Sequence, residues 1–386
     1  VENITNITRK PGILQVLPAL MSGGVEREVM DIAEALVQEG YRSFVASSGG
    51  RQVTQLYQQG SRHFSLSLDS KNPFVIIRNI WKLKHLVKVH DIDIIHAQSR
   101  APAWSAYYAA KLSGCHFVTT IHGAHGTKGF CKKLYNSVMT KGEKVIAVSE
   151  FIANYAKENY IFDNKKLKVI HCGTNIHEFN YDNIDTKRIT DLAKALRIPT
   201  DKPIIMLPGR LTRSKGHLFL LESIKQLPSK SITCLFVGED TKHLSYREEL
   251  QNKINEYGLN DTVIMTSNVS DMPAMYALSD IVTCISTKPE SFGLISIEAQ
   301  AMGRMVIATN LGGIRETIIH GKTGWLIEPN NVEELTETIN KILNTDVSTR
   351  LSNAKTTRKH IERNFSLATM GKRIIKIYKE VLKSNS

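Results

Sequence analysis

Two glutamates in the second half of this 386-residue chain, Glu290 and Glu298, flank the run Ser291-Phe292-Gly293-Leu294-Ile295-Ser296-Ile297. A carboxylate accepts two hydrogen bonds from a vicinal diol, so such a pair suits the hydroxyls of a ribose or pyranose. Gly293 opens a helix, whose first backbone N–H groups can face an anion. The same spacing also fits a capped helix with Glu298 in a salt bridge. Upstream, Pro208-Gly209-Arg210-Leu211-Thr212-Arg213-Ser214-Lys215-Gly216 places two cations, Arg210 and Lys215, between a strand and a helix. Arginine grips a diphosphate with a planar fork and lysine adds a point charge. A solvated basic loop would read the same way.

The first half carries two further segments of this kind. Ser22-Gly23-Gly24-Val25-Glu26-Arg27 joins a strand to a helix, and its two glycines allow a phosphate or sugar close to the backbone. His122-Gly123-Ala124-His125-Gly126 leaves the carboxyl end of a strand, where a histidine can contact a sugar or handle a proton; a structural loop histidine is the plain alternative. Other segments fail as sites. Asp91-Ile92-Asp93 has the form of a cation site but precedes a strand, at the wrong end of a sheet. Gly321-Lys322-Thr323 imitates a phosphate loop, yet Glu316 stands where its glycine is required. No carboxylate at metal spacing accompanies His122 and His125, and no metal site is expected.

Short β-rich runs at 13–17, 43–47, 92–96, 117–121, 144–148 and 167–170 alternate with amphipathic stretches at 25–39, 75–90, 102–113 and 150–159. The alternation lapses over 180–200 and resumes with strands at 204–207, 233–237, 263–266, 281–284 and 306–309. Helices fall at 217–226, 246–257, 272–278, 294–302 and 332–343, and from about Arg350 the chain reads as helix to its end. Apolar strands alternating with helices mean two doubly wound α/β domains, each a parallel sheet covered on both faces. In such sheets ligands bind beyond the carboxyl ends of the strands, where the four candidate segments lie.

Composition narrows the class. With 42% apolar residues the chain can bury two cores, and no internal period suggests a repeat protein. Fifty Lys and Arg against 37 Asp and Glu leave a net charge of +13, which favours anionic partners. The cations are dispersed and no RNA-binding motif occurs, so nucleic acid is not expected. Cys115, Cys131, Cys172, Cys234 and Cys284 form no zinc spacing and fit cytosolic thiols. There is no apolar run of membrane-spanning length, and residues 1–10 lack a signal-peptide core, so Asn3-Ile4-Thr5 and Asn6-Ile7-Thr8 are not expected to be glycosylated. The expectation is a cytoplasmic protein.

Taken together, Gly23-Gly24-Val25-Glu26-Arg27, His122-Gly123, Gly209-Arg210 with Lys215-Gly216-His217, and Glu290 with Glu298 resemble the family-4 retaining glycosyltransferases (group 1). Gly313-Ile314-Arg315-Glu316 and Gly321-Lys322-Thr323-Gly324 look like the family's late glycine-rich stretch. The resemblance implies a GT-B fold, two Rossmann-like domains facing across a cleft. It assigns residues 1–200 to an acceptor domain, 201–365 to a nucleotide-sugar donor domain, and 366–386 to a C-terminal helix that packs back on the first. Matched residue by residue, it implies that Arg210 and Lys215 neutralise the donor diphosphate and Glu298 holds the ribose. Glu290, with the backbone of Gly293 and Leu294, would hold the transferred sugar. His122 would face that sugar and Gly23-Gly24 would approach the phosphate.

The implied activity is metal-independent transfer of a hexosyl or N-acetylhexosaminyl group from a UDP- or GDP-sugar, with no cofactor. Two positions depart from the family pattern, Ser214 where an acidic residue precedes the lysine and Met305 where a proline is usual. Neither removes a phosphate-binding charge. Residues 75–90 combine an apolar face with Arg78, Lys82, Lys84 and Lys88, and Lys128, Lys132, Lys133, Lys141 and Lys144 cluster further on. Basic amphipathic surfaces can dock on anionic lipid, although a core-facing helix with a solvated basic face reads alike. The expected acceptor is a lipid-linked glycan of lipopolysaccharide or surface polysaccharide synthesis, at the inner face of the cytoplasmic membrane. A sugar-nucleotide 2-epimerase of similar fold and a non-catalytic nucleotide-sugar-binding protein are the competing readings. The donor base would be read near Asn268-Val269-Ser270.

Overall fold

The computed structural model describes residues 9–21, 23–126, 129–227, 232–238, 244–267 and 269–383. Ser22, Lys128, Asn268 and the two sequons lie outside them. The chain folds as two compact units, one of Val1–Cys172 with Leu367–Ser386, the other of Gly173–Ser366.

In the first unit β1 (Gly12–Val16), α1 (Gly24–Gln38), β2 (Arg42–Ser47), α2 (Val53–Gln58) and β3 (Arg62–Ser65) are followed by α3 (Pro73–Val89), β4 (Ile94–Ala97), α4 (Arg100–Ser113) and β5 (His116–Ile121). Then come α5 (Phe130–Asn136), β6 (Lys144–Ala147), α6 (Glu150–Asn159) and β7 (Leu167–Val169). Among the described residues the strands form one parallel sheet in the order β3-β2-β1-β4-β5-β6-β7. Every residue of β1 and β5 is buried, as strands covered on both faces must be. Local chemistry sets helix starts: Asn72 caps α3 ahead of Pro73, and Ser149 accepts from the Ile152 N–H at the start of α6.

The second unit runs α7 (Thr186–Ala195), β8 (Ile204–Pro208), α8 (His217–Gln226), β9 (Thr233–Val237), α9 (Leu244–Glu256), β10 (Val263–Thr266), α10 (Met272–Leu278) and β11 (Ile281–Cys284). It continues with α11 (Leu294–Ala301), β12 (Met305–Thr309), β13 (Trp325–Ile327), α12 (Val332–Leu343) and α13 (Val347–Asn364). Its described strands form a parallel sheet ordered β10-β9-β8-β11-β12-β13. The last helix, α14 (Leu367–Lys383), belongs to the first unit. Met370, Ile374, Ile375, Ile377, Tyr378 and Val381 on it are buried with Ile13, Ile32 and Leu36. Gly371 lets α14 lie close to α1, since a Cβ there would stand 3.0 Å from that of Ala35.

Strand and helix positions follow the periodicity to within a few residues, with corrections. β3 and β13 are strands that the sequence reading left out. The helical tail is two helices broken at Phe365-Ser366, one in each unit. Residues 173–200, assigned from sequence to the first domain, lie in the second unit. Phe179 is buried edge-on against Tyr276 at 5.9 Å, Arg188 forks onto Asp271 at 2.5 and 2.6 Å, and Arg358 donates to the carbonyls of Ile176 and Phe179. Those contacts attach the segment there and place the boundary at Cys172. Asp93 is a structural group, accepting from Gly12 N–H and Arg9 at 2.6 Å each.

Candidate active site

Each sheet has one place where the chain reverses its direction of winding, between β1 and β4 in the first unit and between β8 and β11 in the second. Loops leaving the two strands at such a point diverge and open a crevice. In the second unit those loops carry Lys215 and Glu290, and the fold brings the two together: Lys215 Nζ lies 2.5 Å from Glu290 Oε1. Both are half-buried, and the Ser286 hydroxyl donates to the same carboxylate oxygen.

Glycines make this approach possible. Gly216, at φ 85°, ends the single 3-10 turn Arg213–Lys215 and starts α8; a Cβ there would sit 2.2 Å from the Ile285 carbonyl. The Thr287 N–H donates to the Ser214 carbonyl at 2.9 Å, so the two loops are also joined through backbone. Gly312, at φ 76°, lies against the backbone of Glu290, whose carbonyl accepts from Gly313 N–H at 2.7 Å. The late glycine-rich stretch thereby fixes the loop that carries the first glutamate.

Gly293, at φ 140°, precedes α11, and its missing side chain leaves room for Ile314, 2.7 Å from where a Cβ would be. Leu294 is the first residue of that helix, whose opening N–H groups have no partners within it. Glu298, further along α11, is 8% exposed and accepts from the Tyr276 hydroxyl at 2.9 Å. Arg210 is exposed, and no hydrogen bond or ion pair to a described residue ties its guanidinium. Arg213, by contrast, pairs with Glu249 and lies over the Tyr246 ring. His217 is wholly buried against Phe236 and Tyr246, and burial pushes its pKa down to about 4, so it is a neutral core residue. Burial, and then the Glu290 charge, push the Cys284 thiol up, which leaves it an inert thiol at the end of β11. Gly321-Lys322-Thr323 is a turn closed on itself, the Thr323 hydroxyl accepting from Ile319 N–H at 2.9 Å.

In the first unit Gly23 and Gly24 are exposed at the start of α1, Gly23 extended and Gly24 its first residue. His122 follows β5 and makes contacts that sequence reasoning missed. Its Nδ1 stands 3.4 Å from Glu28 Oε2 and its Nε2 2.9 Å from Gln98 Oε1. Burial pushes the Glu28 carboxyl up, but the His122 charge and the hydrogen bonds from His122 and Cys172 outweigh it and hold the group below the ordinary carboxylate range. Glu28 lies far along the chain from both His122 and Cys172, and no local spacing marks the three as partners. Among the described residues no group of three or more His, Cys, Asp or Glu side chains is arranged to hold a metal ion. A cavity of about 380 Å³ beside Ile281 and Met305 lies at the amino ends of β11 and β12, away from the loops of Lys215 and Glu290.

The chain is similar in sequence and fold to known proteins. Residues 22–178 match glycosyltransferase family 4, and residues 188–360 match the glycosyl transferases of group 1. A solved glycosyltransferase from Rickettsia africae is 39% identical, with a TM-score of 0.90 over 97% of this chain and 99% of that one. This chain belongs to the family-4, group 1 glycosyltransferases. Its two Rossmann-like parallel-sheet units are those of the GT-B fold. HepE from Anabaena, solved with UDP and glucose, shares that fold at a TM-score of 0.82 and 22% identity, over 96% of this chain and 99% of HepE. CapM from Staphylococcus aureus, a capsular polysaccharide biosynthesis glycosyltransferase, is 29% identical over 62% of this glycosyltransferase, which spans 62% of CapM's own length.

Proposed function

We propose that this glycosyltransferase transfers a hexosyl or N-acetylhexosaminyl group, with retention, from a UDP- or GDP-sugar to a lipid-linked glycan in surface polysaccharide or lipopolysaccharide synthesis. The observation that carries this reading is the meeting of Lys215 and Glu290 at the winding reversal of the second sheet, with α11 and Glu298 following. Arg210 and Lys215 bind the diphosphate, Glu298 the ribose, and Glu290 the sugar hydroxyls together with the backbone of Gly293 and Leu294. Gly23, Gly24 and His122 contact the substrate from the first unit's loops.

Breaking the anomeric C–O bond builds positive charge on the sugar ring and negative charge on the departing diphosphate. Fixed cations at the phosphates therefore stabilise the transition state more than the ground state. Because lysine and arginine supply that charge, the reading needs no divalent cation. The departing phosphate takes the acceptor's proton in a front-face attack. Support for the donor comes from HepE, which was solved with UDP and glucose, and for the acceptor class from CapM, a capsular polysaccharide enzyme.

The lipid-linked acceptor rests on a surface of the first unit. Phe74, Ile77 and Trp81 line one side of α3 and are 82%, 53% and 58% exposed, with Arg78, Lys82 and Lys88 exposed beside them. Lys84 lies over the Trp81 ring at 5.2 Å, and Phe130 and Leu134 on α5 are likewise exposed near Lys132 and Lys133. Exposed aromatics among cations suit the headgroup layer of an anionic leaflet, here the inner face of the cytoplasmic membrane. No described helix is long and apolar enough to cross a membrane.

Thermal unfolding with UDP-, GDP-, ADP- and CMP-sugars in the presence of a chelator tests the donor site. A ligand at about 100 times its Kd adds about 2.7 kcal/mol, a readable shift in Tm. One nucleotide series should stabilise the chain, and Glu298→Ala should abolish the shift. No shift across the panel would overturn the reading.

A further inference from the structure

His122 sits at the end of a buried chain of hydrogen bonds whose direction a backbone group decides. The Val29 carbonyl can only accept, so Gln15 must turn its Nε2 to it, at 3.0 Å. Gln15 then presents Oε1 to Gln98 Nε2, at 2.8 Å. Gln98, with its amide nitrogen so placed, turns Oε1 towards His122 Nε2, at 2.9 Å, and this nitrogen must carry a proton. Gln15 and Gln98 are buried, so water cannot reorder them. The other ring nitrogen, Nδ1, faces Glu28 Oε2 at 3.4 Å. That oxygen also accepts from the Cys172 thiol at 3.1 Å, and burial keeps the thiol protonated and hence a donor. Both nitrogens of His122 therefore face acceptors.

We infer that Glu28 holds His122 as an imidazolium, which makes Glu28 a positioning residue for glycosyl transfer and excludes His122 as the base that deprotonates the acceptor. The inference deepens the proposed function and rests on it for the role of His122 in catalysis. A ring with both nitrogens protonated has no lone pair to offer, so it acts through fixed charge and orientation, and the proton passes to the departing phosphate. The buried carboxylate compensates the charge at short range, the arrangement in which a buried ion pair is tolerated. The other titratable groups around the pair do not compete for the proton. Burial pushes His96 down to about 3; its Nδ1 meets the Tyr378 hydroxyl and its Nε2 that of Thr120, each at 2.7 Å. His125 is pushed down to about 4 by burial and by the charges of Arg100, His122 and Lys132.

Long-range 15N–1H spectra of the histidine rings in the full chain at neutral pH, with the His122 signals assigned by their loss in His122→Phe, test this directly. The wild-type ring should be protonated at both nitrogens. Glu28→Gln should give a neutral ring with one bare nitrogen and lower kcat roughly tenfold while the donor KM stays unchanged. Glu28→Asp should restore the doubly protonated ring and part of kcat, and it serves as the deciding variant should Glu28→Gln lose its far-ultraviolet circular dichroism. A neutral His122 in the wild type, or a doubly protonated one in folded Glu28→Gln, overturns the inference. Absence of transfer from every nucleotide sugar by the wild type would overturn the proposed function and leave the ring's protonation state standing.

Discussion

Gly216 shows how a residue without a side chain can position two charges. Its left-handed backbone turns the chain from Lys215 into α8, and its bare Cα lets the loop of Ile285 pass. Gly216→Ala would carry both costs, about 1–2 kcal/mol for the backbone conformation plus a clash with a carbonyl that cannot move aside. Gly321 has a similar φ, 74°, but open space around it, so Gly321→Ala carries the conformational cost alone. Denaturant titration should rank Gly216→Ala as the more destabilised, and only that variant should weaken stabilisation by donor. Equal loss in both would mean that the contact with Ile285 has no weight. At this scale the sequence was informative about local turns, as where Gly293 opens α11. It was silent on Glu28, because its partner Cys172 is 144 residues away and a lone buried glutamate on an amphipathic helix has no local signature.

Periodicity reveals an element when one face is buried over several turns or strand residues, which is why most elements were legible. β3 escaped because its four residues include two exposed ones, and β13 because it has three residues and a half-exposed start. In the tail, helix propensity continues through 350–383, and the packing of α13 in one unit and α14 in the other fixes the break at Phe365-Ser366. α14 shows what that packing contributes. Ile374, 2% exposed, lies in the core of the first unit with Ile13 and Ile32. Ile374→Ala should remove about 2–5 kcal/mol from that unit. Hydrogen exchange should register the loss in β1 and α1 and leave β8 and β11 unchanged. Equal loss of protection in β8 and β11 would show that the two units unfold as one.

The whole molecule carries +13, and its exposed aromatics on α3 and α5 stand among cations. If that surface meets an anionic leaflet, binding should have an electrostatic and an apolar part. Sedimentation with vesicles containing phosphatidylglycerol should show binding at low salt that weakens as salt is raised, since exposed charges are screened within about 10 Å at 0.1 M. Phe74→Glu with Trp81→Glu should reduce binding to anionic vesicles further than the loss of one lysine, without changing donor stabilisation. Failure to bind anionic vesicles at low salt would remove the membrane from the proposed function.

From its sequence alone this protein is two doubly wound α/β units with candidate residues at the carboxyl ends of strands. Hydrophobic periodicity and loop chemistry are local properties, and they suffice for that. The tertiary structure decided where the units divide, because residues 173–200 are attached by Phe179, Arg188 and Arg358 to partners distant in sequence. It also decided that Lys215 and Glu290 form one ion pair and that His122 answers to Glu28 and Gln98. Those pairings depend on which strands become neighbours. Strand order is set by packing over the whole sheet and has no trace in any single segment.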